Sequence, residues 1–284
     1  MVEVRLVIVG HLGIGVDHTP IGSARNLSGS GYACARGACV VNPRRTGLVA
    51  RVGEDFDQSA LERLGVDLRG VQAVDGMSAH FEITQHPDKS RSVTSELAVA
   101  DHPDTWALPT DYERARHFHL ATMPLRQQRT WLTRLRTLPS RPRISIDMFE
   151  SHAAEDPEES RRLCRAADLA FMNEEEWRIL FSDHGAPNCA LVIKRGERGA
   201  TYLDRGQRFE TGVPKVETVD TTGAGEILAG AMLSLLLAGH PLHTALRHAA
   251  AVASAKVGEF GVDGTRLATA LRCTLHALAE TAPP

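Results

Sequence analysis

Apolar positions in this chain come in short runs, and the stretches between them carry apolar residues at helical spacing. Val2–Val9 is rich in β-branched residues and ends at Gly10. A Gly-rich loop continues to Gly22, and the small residues of Ser23–Arg36 predict a closely packing helix. The rhythm then repeats. Thr46–Val52, His117–Leu120, Ile144–Asp147, Leu169–Met172 and Leu191–Lys194 read as strands, with helices over Asp57–Leu64, Leu125–Leu138, Pro157–Ala166 and Glu174–Phe181. Short apolar strands alternating with helices imply parallel βαβ units under right-handed crossovers, hence a mainly parallel sheet covered on both faces.

Two stretches depart from this rhythm. Within Val71–Val99, Ser78–Thr84 and Ser90–Val93 alternate around a turn-like His86–Ser90 and predict hairpins outside the main sheet. Gly199–Thr211 reads as a second hairpin around Asp204–Gly206. The C-terminal third is helical over Gly225–Ala238, Pro241–Val257 and Thr265–Ala279, each opened by a Gly, Pro or Thr start signal.

Composition narrows the classes. With 284 residues, 43 % apolar and 24 % charged, the chain suits one α/β domain over 1–284. A formal charge of -3 supplies no global pull toward nucleic acid or an anionic membrane. The apolar run Ile227–Gly239 is shorter than the roughly 20 residues a membrane span needs. The N-terminus has the pattern of a strand and not of a signal peptide. Five cysteines with no CxxC pair point to reduced thiols and a cytoplasmic location. The basic residues are nearly all Arg, with Lys only at 89, 194, 215 and 256, which reads as coding bias and carries no functional inference.

The sharpest local signal is Val219-Asp220-Thr221-Thr222-Gly223-Ala224-Gly225-Glu226, running straight into an apolar helix. Glycines there let successive free N–H groups point outward at the helix start, where the helix dipole adds partial positive charge, so the segment can hold an anion. Glu226, in the first turn, would stand beside that anion, placed to take a proton from an attacking hydroxyl. The same residues also suit an ordinary capped helix with no ligand.

These residues resemble the late signature of the ribokinase family, the phosphofructokinase-B type carbohydrate and nucleoside kinases: Asp-Thr, a variable residue, Gly-Ala-Gly and a final Asp. In that family the final Asp is the general base, and here Glu226 stands in its place. The resemblance implies a ribokinase-like three-layer α/β/α sandwich with a mainly parallel central sheet and a reduced β lid. It also implies ATP as phosphoryl donor with Mg²⁺, and in some members a monovalent cation such as K⁺. Gly223, Ala224 and Gly225 would hold the transferring phosphoryl group.

Further stretches match in order and spacing. Ile21–Asn26 looks like the early Gly-Gly signature ending in Asn, with Ile21 for the first Gly, which implies substrate contacts from Gly22 and Asn26. Asp17 sits where the family places a carboxylate that accepts substrate hydroxyls. Asn173-Glu174-Glu175-Glu176 is similar to the Asn-x-x-Glu motif, so Asn173 and Glu176 would support Mg²⁺ through water; three Glu at a helix start are also good dipole chemistry without metal. Ile193–Gly199 resembles the nucleotide-binding loop, implying that Lys194, Gly196 and Gly199 face ATP. The segment up to Gly261 resembles the region that bounds the adenine and the cation.

Other chemistries fit less well. His117 and His119 share a strand face without an accompanying carboxylate or Cys at ligand spacing, so hydrogen bonds explain them better than a metal. No GxGxxG dinucleotide fingerprint and no GxxxxGK[ST] loop occurs. In larger sugar kinases one lid insertion lies between the early Asp and the Gly-Gly motif, and here only His18–Ile21 separates Asp17 from Gly22. The lid is therefore expected from about 71–99 alone, with His80, Glu82 and His18 facing the substrate. Few aromatic residues fall near the site, which favours a sugar-like alcohol, with a nucleoside as the alternative and a nucleotide- or sugar-binding protein without turnover as the competing class. An exposed lid edge predicts a homodimer.

Overall fold

A computed structural model describes residues 3–280 apart from 21, 42, 87–90, 103–105, 184 and 186. Ile21 and most of the His86–Ser90 turn thus lie outside the described residues. Strands β1 (Leu6–Val9), β4 (Thr46–Val52), β5 (Asp67–Ala73), β8 (His117–Leu120), β9 (Arg143–Asp147), β10 (Leu169–Asn173) and β11 (Ala190–Lys194) are mutually parallel. The hairpin β12 (Ala200–Asp204) and β13 (Gln207–Thr211) adds two antiparallel strands, giving the order β13-β12-β11-β10-β9-β8-β1-β4-β5. Both faces are buried, which is why the parallel strands are apolar throughout. On β1, Leu6 and Ile8 enter one core layer and Val7 and Val9 the other.

The first layer holds α1 (Ser30–Ala38), α2 (Ser59–Leu64), α7 (Ala224–Leu237), α8 (Leu242–Val257) and α9 (Thr265–Glu280); the second holds α3 (Leu125–Arg136), α4 (Glu150–Glu155), α5 (Pro157–Ala166) and α6 (Glu174–Phe181). The three-layer, mainly parallel architecture is as expected. Small residues let α1 and α7 meet backbone to backbone. A Cβ at Gly37 would lie 2.1 Å from the Ile227 carbonyl oxygen, and one at Gly230 only 1.9 Å from that of Cys34. This contact fixes the height at which α7 presents its N-terminus.

The second sheet corrects the reading of residues 13–28. Instead of a loop followed by a helix from Ser23, they form a hairpin, β2 (Gly13–Thr19) and β3 (Gly22–Ser28), and α1 starts only at Ser30. With β6 (Ala79–Gln85) and β7 (Arg91–Glu96) they make a four-stranded lid ordered β3-β2-β6-β7. The excursion at about 71–99 supplies two of these strands, and the hairpin around Asp17 the other two. Glycine at 13 reflects strand pairing, because a Cβ there would lie 2.1 Å from the Ala79 carbonyl oxygen.

The His117 and His119 side chains both reach Ser145 Oγ on β9, each at 2.8 Å. Burial holds the two imidazoles neutral, with pKa values lowered to about 3. Below the ordinary histidine value of 6.5 the unfolded chain takes up protons that the folded chain refuses, so stability falls as pH drops from about 6.5 toward 3. Each such histidine contributes a slope of about 1.4 kcal/mol per pH unit. Urea unfolding at pH 7.5 and 5 should show this loss, and His119→Gln should reduce it; a stability independent of pH over that range would contradict the assignment.

Candidate active site

The sheet changes direction at β1. Chain order runs outward to β4 and β5 on one side and to β8 through β11 on the other, so a crevice opens beyond the carboxyl ends of the strands. Side chains that follow these strands gather there: His11 after β1, Thr122 after β8, and Asp147, Asn173 and Lys194 at the ends of β9, β10 and β11. The lid covers the crevice, and α7 points its N-terminus into it. One pocket is lined by Asp17, Thr122, Gly223, Glu226 and Gly261 together.

Gly223 caps α7 with a left-handed φ of 78°, which turns the chain into the helix. Thr222 N–H is satisfied by Asp220 Oδ1 at 2.8 Å, and Ala224 N–H by the Thr221 carbonyl at 3.3 Å. No acceptor among the described residues takes the N–H groups of Gly223, Gly225 or Glu226. The cluster of open amides expected from the sequence is therefore formed at the head of the helix dipole.

Asp220, fully buried, organises this turn. Its Oδ1 also accepts from the Gln85 amide of the lid, and its Oδ2 accepts from Gly261 N–H at 3.0 Å and from Lys256 Nζ at 2.5 Å. Lys256 Nζ donates in addition to the Asp220 carbonyl oxygen at 2.8 Å. Gly261 thus serves the turn directly and sits against Asn26, where a Cβ would come within 3.1 Å of the amide carbon.

At the ends of β9 and β11, Lys194 Nζ pairs with Asp147 Oδ1 at 2.6 Å. Burial lifts the Asp147 carboxyl to about 6 even with the ammonium beside it, and its Oδ2 is buried without a partner. Burial alone would lower Lys194, but Asp147, Glu176 and Glu226 outweigh it and hold the ammonium charged. A Cβ on Gly225 would lie 3.0 Å from Lys194 Nζ, so the cation rests against the open amides of α7. Asn173 and Glu176 form a reciprocal capping box. Glu176 N–H donates to Asn173 Oδ1 at 2.8 Å, and Glu176 accepts from Asn173 N–H at 2.7 Å and Nδ2 at 3.0 Å. Gly196 and Gly199 form the turn after β11, Gly196 exposed and Gly199 packed on the Thr211 carbonyl.

On the opposite side of the pocket, Asn26 Nδ2 donates to Asp17 Oδ2 at 2.8 Å, and Asp17 Oδ1 is buried without a partner. Burial raises the Asp17 carboxyl, and neighbouring Asp220 adds to the effect. Glu226 faces the same cavity, with Thr122 Oγ1 at 3.5 Å from its Oε1.

Strand parity corrects two expectations. On β6, Phe81 and Ile83 line the pocket; His80 turns away to the Ser78 carbonyl at 2.9 Å, and Glu82 turns away to His18 at 3.1 Å. Gly22 pairs with Thr19 at the exposed tip of the β2–β3 hairpin, outside the pocket lining. The aromatic supply is also richer than expected, because Phe149 and His152 after β9 and the buried His11 join Phe81 and Tyr32. Gln127 donates its Nε2–H to the carbonyls of Ala100 and Asp101, so its Oε1 accepts from His11 Nε2 at 2.7 Å. That leaves His11 Nδ1 as an acceptor, and burial keeps the ring neutral with a pKa of about 4.

Sequence reasoning passed over Asp147, Asp220 as a hub, His11, Phe149 and Lys256. Asp147 and Phe149 carried a usable signal, since Asp147 closes a predicted parallel strand and Phe149 follows it, where such folds place ligands. Lys256 carried one too, as a rare Lys in an Arg-rich chain.

A sequence profile of pfkB family carbohydrate kinases matches residues 23–268. The chain belongs to this family. As a pfkB family member it is a phosphotransferase whose acceptor is a hydroxyl of a sugar or nucleoside. It is 27 % identical over 259 residues to a cytidine kinase of Thermococcus kodakarensis, covering 85 % of this chain and 92 % of the relative. Its fold matches adenosine kinase from Sinorhizobium meliloti with a TM-score of 0.82 at 16 % identity, covering 96 % of this chain and 99 % of that one. It matches Burkholderia thailandensis nucleoside kinase, solved with inosine, with a TM-score of 0.76 at 17 % identity over 98 % and 99 % of the two chains. No helix among the described residues is long and apolar enough to cross a membrane.

The open Asp17 oxygen gives this pfkB kinase a testable feature. If this oxygen accepts substrate hydroxyls, replacing Asp17 by Asn removes a charged acceptor, and hydrogen bonds to charged groups contribute about 1.5–3 kcal/mol. Asp17→Asn should raise the KM for the acceptor by roughly 10- to 100-fold with the KM for ATP little changed. An unchanged acceptor KM would remove Asp17 from the binding site.

Proposed function

We propose that this chain transfers the γ-phosphoryl group of ATP to a ribose hydroxyl of a nucleoside. The observation that carries this reading is the lining of the acceptor pocket. Besides the Asp17 and Glu226 carboxylates, its lining includes the apolar residues Phe81, Ile83, Leu97, Met123 and Phe149. A bare sugar would satisfy the carboxylates and leave this apolar lining wet, whereas a base would cover it and stack on its rings. His11 Nδ1 adds an acceptor for an N–H of the base. The cytidine kinase likeness and the inosine-bound neighbour support the same reading.

In the proposed mechanism Asp17 accepts hydrogen bonds from ribose hydroxyls and Asn26 holds Asp17 in place. Glu226 takes the proton of the attacking hydroxyl as its oxygen forms the new bond to the γ-phosphorus and the bond to the β,γ-bridging oxygen breaks. The open amides of Gly223 and Gly225, with Ala224 between them, and the Lys194 ammonium face the charge on the transferring group. Glutamate reaches about 1.5 Å farther than aspartate, and Thr122 lies close enough to steady its carboxylate. Asn173 and Glu176 are oxygen and amide donors already tied to one another, which suits support of Mg²⁺ through water and not a closed protein cage. Bound there, Mg²⁺ would neutralise charge on the ATP phosphates. Gly196 and Gly199 would shape the nucleotide loop. Pairing of two copies through the lid edges β3 and β7, and action in the cytoplasm, belong to the same proposal.

A panel of nucleosides and free sugars, read as ADP release, tests acceptor and base together. Nucleosides should exceed ribose in kcat/KM by at least tenfold, and Glu226→Gln should lower kcat by about 10²- to 10⁴-fold while Mg-ATP still binds in calorimetry. Faster turnover of a free sugar would restore the sugar reading, and full activity of Glu226→Gln would send the proton by another route.

A further inference from the structure

The family resemblance implies, for some members, a monovalent cation near the segment that ends at Gly261, and the residues there do not fit one. Asp220 presents one carboxylate and one carbonyl oxygen to a common point, and Lys256 Nζ occupies it at 2.5 and 2.8 Å. The remaining positions on the carboxylate are also used, Oδ1 by Thr222 N–H and the Gln85 amide and Oδ2 by Gly261 N–H. Neither Asp220 nor Lys256 is exposed at all. We infer that the Lys256 ammonium takes the place of an exchangeable monovalent cation beside the phosphoryl-binding turn, so that phosphoryl transfer by this chain needs no potassium.

A buried carboxylate without a counter-charge is strongly destabilising, so a cation has to stand beside it. An ammonium is a compact point charge with three donors, and it meets two oxygens of one residue at hydrogen-bond distance. A guanidinium fork is wider and planar, which accounts for a Lys at this position in a chain whose basic residues are nearly all Arg. Burial holds Lys256 below the ordinary lysine value, while Asp220 and, beyond it, Asp17 and Glu226 favour its charged form. A second cation would face this one across a single carboxylate.

The tether also fixes geometry. Lys256 lies in the last turn of α8, and the Val257 carbonyl accepts from Val219 N–H at 2.9 Å and Asp220 N–H at 3.1 Å. The end of α8 and the entry to α7 are thus joined through backbone and side chain at once. Lys256 acts as a positioning residue, holding the turn that presents Gly223 to Glu226, and touches neither substrate.

The test needs no variant in its first arm. Initial rates with Mg-ATP and an accepted nucleoside or sugar are compared in potassium, sodium and tetramethylammonium chloride at equal ionic strength, with melting temperature recorded in each salt. Rates within about twofold and melting temperatures independent of cation identity are expected; activation of tenfold or more by potassium, or a potassium-specific rise in melting temperature, would overturn the inference. In a second arm, Lys256→Met should lose at least tenfold in kcat/KM, and ammonium or potassium ions should recover part of its melting temperature. Wild-type kinetics in Lys256→Met would also overturn it. A chain inactive toward every acceptor in every salt would count against the proposed function and leave the melting arm to decide the role of Lys256.

Discussion

A carboxylate sealed from water between a lid, a helix entry and a helix end has to be matched by charge and hydrogen bonds on every side, and Asp220 is that carboxylate. Its partners come from four parts of the chain: Gln85 of the lid, Thr222 of the turn into α7, Lys256 of α8 and Gly261 beyond it. Each partner is held because the others are. Removing the Lys256 charge would leave an unpaired buried anion, a change that typically costs about 3–5 kcal/mol, a large fraction of the stability of most domains. The pair therefore constrains where the open amides of α7 can be.

Two packing features give that constraint its reach. Backbone contact between α1 and α7 at Gly37 and Gly230 sets the position of the whole helix relative to the sheet. The reversal of strand order at β1 brings the ends of β9, β10 and β11 to the same crevice, with Asp147 and Lys194 paired across it. One helix N-terminus then faces a pocket lined by the Asp17 and Glu226 carboxylates, with the partly buried Lys194 ammonium close by. Phosphoryl transfer calls for such an arrangement, since most of the catalytic work is positioning and compensation of charge.

The main sheet was legible because strands buried on both faces must be apolar at consecutive positions, and that signal survives without knowledge of the partners. The lid was only partly legible. Gly13–Ser28 alternates weakly and contains glycines that serve close strand pairing, so its local pattern suits a loop as well as a hairpin. Site residues showed the same division. The turn at 220–226 and the Asn173–Glu176 box are local in sequence and could be read directly. His80 against Phe81 is a question of which face of a lid strand meets the pocket, and register is decided by β2 and β7, not by β6 alone. Lys256 and Asp220 lie 36 residues apart, and no local pattern links a helical Lys to a turn Asp.

A double-mutant cycle in unfolding free energy between Asp220→Asn and Lys256→Met addresses the central claim most directly. If the buried pair is the constraint on which the turn depends, each single change strands a polar or charged partner and the double change removes the conflict. A coupling of about 2 kcal/mol or more is expected, with the double variant no less stable than either single variant. Additive losses within about 0.5 kcal/mol would show that the two residues act independently and would contradict it.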